Sequence, residues 1–167
     1  STLAETMYGV HSPDEGHLTL NGRRLDLRSP RDAIAEGIGM VHQHFELVTP
    51  LSTVENVALG TTGKGYLKLD LVRDRLRELC STYNVDIDLE MPVGELPVGL
   101  QQWVEILKAM YLGVDLLILD EPTAALTPAG VERLFSSVSR MREEGLAVVL
   151  ISHKMHEVTG ISDRVTV

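Results

Sequence analysis

The chain predicts an α/β domain built on a parallel sheet, and three observations carry that class. Residues 116–119 (Leu-Leu-Ile-Leu) and 147–151 (Ala-Val-Val-Leu-Ile) are short, unbroken apolar runs, the pattern of strands buried on both faces. Between them Val131, Leu134, Phe135, Val138 and Met141 recur at helical spacing, with Thr127 as cap, Pro128 in the first turn and Gly145 as the stop. Strand, helix and strand in that order, with solid apolar strands, make a parallel sheet.

The remaining elements follow in order. Residues 2–8 have helical composition and end at Gly9. A short strand over 17–20 turns at Asn21-Gly22, a strong hairpin signal. After Pro30, residues 31–36 form a short helix closed by Gly37, and 38–41 is an apolar strand running into His42-Gln43-His44. Residues 53–59 read as helix and 60–65 as a flexible loop. Val72, Leu76, Leu79, Cys80 and Tyr83 stripe a helix over 70–83, with Arg and Glu opposite. A helix over 101–112 is apolar on more than one side (Val104, Ile106, Leu107, Met110), so it is expected to lie deeper. Beyond residue 151 a short helix reaches Gly160, and 164–167 begins one more strand. The stretch from 58 to 110 reads as a mainly helical insertion into the sheet domain.

Composition narrows the function classes. A chain of 167 residues, 44% hydrophobic, is long enough for one domain with a substantial core. Fifteen Lys+Arg against 24 Asp+Glu give a net charge of −9 and no basic stripe, which argues against nucleic acid as a partner. The single Cys80 sits on the apolar side of its helix, where a core thiol is the ordinary reading, and it permits no internal disulfide. No apolar run approaches the ~18 residues of a membrane span, and no stretch of these residues reads as a signal peptide. The opening STLAETMYG looks like the middle of a helix and the chain stops at Val167 inside an expected strand, so it is expected to be a piece of something larger.

Asp120 and Glu121 arrive together at the carboxyl end of the 116–119 strand, the edge where parallel α/β sheets place ligands. Such a pair suits Mg²⁺ and a water nucleophile. Hydrolysing a nucleoside triphosphate needs a phosphate cradle, a held Mg²⁺, an oriented water and a γ-phosphate sensor. Asp120 is expected to hold the metal and Glu121 to polarise the water as general base. Gln43, after the 38–41 strand, is placed to reach metal and water, and His153, just past the 147–151 strand, to contact the γ-phosphate. Taken singly, Gln43 reads as a solvated loop residue, His153 as a turn residue and Glu121 as a surface ion-pair partner. The combination on three strand ends favours chemistry. His42/His44 and His153/His156 are paired in sequence, but neither pair has the third ligand a metal site needs.

In this order the motifs resemble the ATP-binding cassette of ABC transporters over nearly the whole chain. VHQHFELVTPLSTVENVALG (41–60) resembles the Q-loop region, and LPVGLQQWVEILKAM (96–110) the signature and its helix. LLILDEPTAALTP (116–128) is similar to Walker B and the D-loop, and VVLISHKMHEV (148–158) to the switch-histidine segment. HQHFELV, VEILKAMY and DEPTAALTP are most similar to the amino-terminal cassette of tandem ATPases from bacterial simple-sugar or nucleoside importers. The resemblance implies a P-loop NTPase-type sheet core in residues 1–57 and 113–167, with a helical signature subdomain inserted at 58–112. It also implies ATP and Mg²⁺ as cofactors.

Three departures accompany the match. Ser1-Thr2-Leu3 corresponds to the end of the phosphate loop, so the resemblance makes Ser1 a Mg²⁺ ligand and Thr2 a phosphate contact. The glycines and lysine of that anion cradle, and the strand before them, are not in this sequence, which is expected to leave an apolar sheet edge open. The signature L-S-G-G-Q stands here as Leu96-Pro97-Val98-Gly99-Leu100, the residues implied to contact ATP held by the opposite cassette. Pro97 offers neither hydroxyl nor backbone N–H, and two charge-assisted hydrogen bonds at about 1.5–3 kcal/mol each are lost with the serine. Trp103 replaces a frequent arginine and reads as either surface or partner contact; Thr127 replaces the usual D-loop aspartate.

By resemblance the partners are a second cassette (tandem half or dimer mate), transmembrane permease subunits and, indirectly, a solute-binding protein, at the cytoplasmic face of the inner membrane. Phe45, Leu47 and Val48 serve equally as permease contacts or as local core. Two rivals stand beside the importer ATPase: a degenerate cassette that docks without turnover, favoured by Pro97, and a cassette ATPase of DNA repair or translation, opposed by the acidic balance.

Overall fold

The computed structural model describes residues 2–60 and 68–166. Helix α1 (Thr2–Met7) leads to the antiparallel hairpin β1 (Leu18–Leu20) and β2 (Arg23–Leu25). Asn21 and Gly22 both take left-handed backbone (φ 51 and 77), the two-residue turn that matches strand twist. Helix α2 (Pro30–Ala35) is capped by Ser29, whose hydroxyl accepts from Asp32 N, and ends at Gly37 (φ 77) before β3 (Ile38–Val41).

Helices α3 (Thr53–Gly60), α4 (Leu69–Tyr83) and α5 (Val98–Tyr111), with a 3₁₀ turn at Val93–Glu95, separate β3 from β4 (Leu116–Asp120). Then come α6 (Pro128–Glu143), β5 (Ala147–Ile151) and α7 (Met155–Ile161). β3, β4 and β5 form a parallel sheet in that order, with Val41 opposite Leu119 and Leu119 opposite Leu150. Strand alternation divides the core into two layers. Val41, Leu117 and Leu119 face α3, α4, α5 and α6. Ile38, Met40 and Ile118 face α1, the hairpin and α2. Gly39 lets α5 approach the sheet, because a Cβ there would lie 3.0 Å from Val114 Cγ1 and 3.2 Å from Ala109 Cβ.

Several expectations change. The helix predicted over 101–112 starts at Val98, because Pro97 (φ −52, ψ 144) is the N-cap and its carbonyl accepts from both Leu100 N and Gln101 N. The last three signature residues are therefore the first turn of α5. Trp103 is 9% exposed and packs in the main core rather than lying at the surface, with part of it lining the groove beside Pro97 and Val98. Residues 164–166 form no strand, since a strand needs a neighbour to receive its ladder and none is offered among the described residues. β5 is half-buried rather than enclosed on both faces, because one of its edges has no partner strand among the described residues. Gly60 is the last residue of α3, and the loop expected over 61–65 lies outside the described residues. Cys80 is half-buried against the main core, and burial pushes its thiol up to about 11.

Candidate functional site

Parallel register places the candidate residues on one sheet edge. Gln43 stands two positions past Val41, Glu121 two past Leu119 and His153 three past Leu150, all beyond carboxyl ends. Asp120, the last residue of β4, is 6% exposed. Gln43 is exposed in the loop after β3.

Glu121 is held by its backbone and by His153. Its N–H donates to Ile151 O at 2.9 Å, extending the β4–β5 ladder by one residue. Its φ of 50 lies in the left-handed region, a conformation that surrounding contacts must hold in a non-glycine residue. Glu121 Oε1 accepts from His153 N at 3.2 Å and lies 2.8 Å from His153 Nδ1. An ionised carboxylate only accepts, so opposite one the proton belongs on Nδ1 and Nε2 is left for another partner. Glu121 Oε2 is buried with no hydrogen-bond partner among the described residues. The carboxylate side chain is 16% exposed and the imidazole 73%, so the pair has a sheltered acceptor and an open face.

The structure brings Glu121 and His153 into contact and sets Asp120 and Gln43 on the same edge. It keeps the signature apart. Pro97, Val98, Gly99 and Leu100 line a groove of about 380 Å³ with Ala125, Leu126 and Thr127, to which none of Gln43, Asp120, Glu121 and His153 contributes. Leu96 turns inward against Val93 and Val104, and its carbonyl accepts from Gln101 Nε2 at 2.9 Å. Thr2 is exposed at the start of α1; Ser1 lies outside the described residues.

Sequence reasoning missed the polar residues that support this edge. Glu105 Oε1 accepts from Glu46 N at 2.7 Å, clamping the loop after Gln43 to α5. Burial raises the Glu105 carboxyl above its ordinary value, outweighing the nearby Lys108 charge and the Glu46 N–H. Asn56 accepts from Val48 N at 2.8 Å and donates to the carbonyls of Val48, Leu51 and Ser52 at 3.0–3.1 Å, closing the same loop. The signal was present in the sequence: polar residues set within otherwise apolar runs, Glu55-Asn56 in VENVALG and Glu105 with Lys108 in VEILKAM. Thr123 and Glu157, both buried, and the half-buried Ser152 and Lys154 form a further polar group next to Glu121 and His153 in the chain.

Comparison with known proteins bears on the fold and the family. The family described as ABC transporter matches residues 1–124. The glucose import ATP-binding protein TsgD13 of Haloferax volcanii is 45% identical over 197 aligned positions, covering 100% of this chain and 36% of that protein. The nucleoside import ATP-binding protein NupA of Lactococcus lactis is 40% identical, covering 100% of this chain and 33% of that protein. For the ribose import ATP-binding protein RbsA of Burkholderia mallei the figures are 43%, 100% and 34%. The chain thus spans about a third of the length of these curated relatives. Among solved structures, MJ1267, an ATP-binding cassette of an ABC transporter, is alike in fold with a TM-score of 0.85, at 20% identity over 97% of this chain and 69% of that one. The cbiO1 protein of Clostridium perfringens, part of the ABC transporter complex cbiONQ, gives a TM-score of 0.80 at 25% identity over 97% and 65% of the two chains. With this strand order, these motifs on its strand ends and a family match over most of its length, the chain belongs to the ABC transporter family.

Proposed function

We propose that this chain is part of the ATP-hydrolysing subunit of an importer for sugars or nucleosides. The observation that carries the reading is the Glu121–His153 contact. A sheltered carboxylate keeps one oxygen on the imidazole and a second, buried oxygen without a partner. A water donating to Oε2 would satisfy that atom and stand ready for deprotonation. His153 Nε2 is the nitrogen left to meet the terminal phosphate.

The donor set fits Mg²⁺ held in the manner of nucleotide sites. Among the described residues no group of three His, Cys, Asp or Glu gathers as an all-protein cage. Mg²⁺ in nucleotide sites takes one or two carboxylates and completes its shell with phosphates and water. Asp120 supplies the carboxylate, Gln43 the amide, and Ser1 is assigned as a third ligand with Thr2 on the phosphates. The ion, when bound, neutralises charge developing on the phosphates.

The signature groove serves a second nucleotide in this reading. It stands apart from the catalytic edge, and the start of α5 leaves the N–H groups of Val98 and Gly99 without intrahelical acceptors. A second cassette would present its ATP there, and permease subunits would dock near Phe45, Leu47 and Val48, with a solute-binding protein supplying cargo outside. Among the described residues no helix is long and apolar enough to cross a membrane, which suits a subunit peripheral to its permease at the cytoplasmic face. Pro97, exposed at the N-cap with no hydroxyl to give, favours the rival reading of a docking cassette without turnover.

The test is steady-state ATP hydrolysis by the full-length protein and its Glu121→Gln variant. Loss of about 10²–10⁴-fold in kcat supports the reading, that being the range a positioned base contributes. Equal rates refute it.

A further inference from the structure

We propose that the polar group Thr123, Ser152, Lys154 and Glu157 is a positioning device that sets the contact between Glu121 and His153, an inference that rests on reading that pair as the hydrolytic centre. The placement is specific. Thr123 follows Glu121 by two residues, and Ser152 and Lys154 are the immediate neighbours of His153. Glu157, on α7, gathers all three. Its carboxylate accepts from Thr123 Oγ1 at 2.7 Å and from Ser152 Oγ at 3.4 Å, and it pairs with Lys154 Nζ at 3.2 Å. Lys154 Nζ also donates to Thr123 Oγ1 at 3.1 Å and to Thr123 O at 3.3 Å, while Lys154 N donates to Ser152 Oγ at 3.1 Å.

This arrangement ties the turn carrying Glu121 to the turn carrying His153 through two enclosed side chains, Thr123 and Glu157, and two half-buried ones, Ser152 and Lys154. Thr123 is fully buried and Glu157 is 4% exposed. The Thr123 hydroxyl is used in both directions, donating to Glu157 and accepting from Lys154, so neither methyl nor amide replaces it. Burial alone would raise the Glu157 carboxyl. The hydrogen bonds from Thr123 and Lys154, the Lys154 charge and the Ser152 hydroxyl outweigh it and hold that acid below its ordinary range. A well-packed apolar cluster would hold two turns together at least as firmly as a buried ion pair. What directional hydrogen bonds add is a single geometry. Here that geometry has a demand beside it: Glu121 sits at φ 50 and reaches His153 through both ring and backbone nitrogen. Glu157 and Thr123 touch no reacting atom and act through the pair.

The experiment compares wild type, Thr123→Val, Thr123→Ser and Glu157→Gln, each labelled with ¹⁵N-histidine. Imidazole nitrogen shifts of His153 are read across a pH series, which separates the tautomers from the doubly protonated ring, and thermal melting is followed in parallel. Wild type is expected to show His153 protonated at Nδ1. Thr123→Val, which keeps shape and loses the hydroxyl, and Glu157→Gln, which keeps shape and loses the charge, are expected to mix the two tautomers. Thr123→Ser is expected to restore the wild-type signature. In the same proteins kcat is expected to fall about 10–100-fold in the valine variant with KM unchanged, the scale of a small misplacement of a catalytic group, and to recover with serine. Wild-type His153 shifts in a folded Thr123→Val protein overturn the proposal, as do shifts that change equally with valine and serine. If the shifts follow the hydroxyl and yet no form hydrolyses ATP, the positioning inference stands and the hydrolase reading falls.

Discussion

Glu121 Oε1 lies 2.8 Å from His153 Nδ1 across a separation of 32 residues, and the other Glu121 oxygen is buried without a partner among the described residues. The relationship joins the ends of β4 and β5 and gives the carboxylate two different environments. One oxygen is engaged by an imidazole that solvent can reach; the other is enclosed, and in the proposed reading it is the oxygen that meets a water.

Two buried acids respond to pH with opposite sign. Burial raises the Glu105 carboxyl, so its ionised form costs stability above its folded pKa, and the cost disappears as pH falls below the ordinary carboxylate value. Glu105→Gln keeps an acceptor for Glu46 N–H and removes the charge. It is therefore expected to melt no lower than wild type at pH 7 and to lose any advantage on acidification. Glu157 is held below its ordinary value, so its contribution is complete above the unfolded carboxylate pKa and is lost as pH falls through the folded one. Glu157→Gln is accordingly expected to melt lower than wild type at pH 7 and to converge with it in acid. Melting curves at several pH values check both; parallel curves for either variant would contradict its assignment.

Gly39 is where α5 meets the sheet. A methyl there would stand 3.2 Å from Ala109 Cβ, which is fixed to a helix backbone and cannot rotate aside, and 3.0 Å from Val114 Cγ1. Gly39→Ala is expected to cost about 1–3 kcal/mol in urea unfolding, the usual penalty for overpacking.

Pro97 occupies an N-cap whose extended backbone suits serine. Pro97→Ser is expected to stabilise α5 by about 0.5–1 kcal/mol through a side-chain cap. It also supplies a hydroxyl and an N–H at the signature, so ATP-dependent pairing of the full-length protein is expected to tighten. Sedimentation of a non-hydrolysing form with and without Mg·ATP reads this. A variant that gains stability while its pairing remains indifferent to ATP would favour the docking reading.

The sequence made the elements legible where the signal is local. Two solid apolar runs mark β4 and β5, Asn21-Gly22 marks the hairpin and Thr127-Pro128 marks the start of α6. Placing Gln43, Asp120, Glu121 and His153 at carboxyl strand ends needed only those strands and their order. What escaped depends on distant partners. Nothing in SHK announces that the ring turns onto Glu121, and Glu157, in a short helix, looks like surface. Trp103 followed two glutamines and gave no sign that the main core would take it in. The strand expected over 164–167 rested on composition alone, and a strand also needs an edge to join.

The central claim is that Glu121 activates the water that attacks ATP. It is tested most directly by measuring, on the full-length protein with Mg²⁺ present, both ATP binding and ATP turnover for wild type and Glu121→Gln. The account predicts that the variant binds ATP about as tightly as wild type and turns it over about 10²–10⁴-fold more slowly. A variant that hydrolyses ATP at the wild-type rate would contradict it.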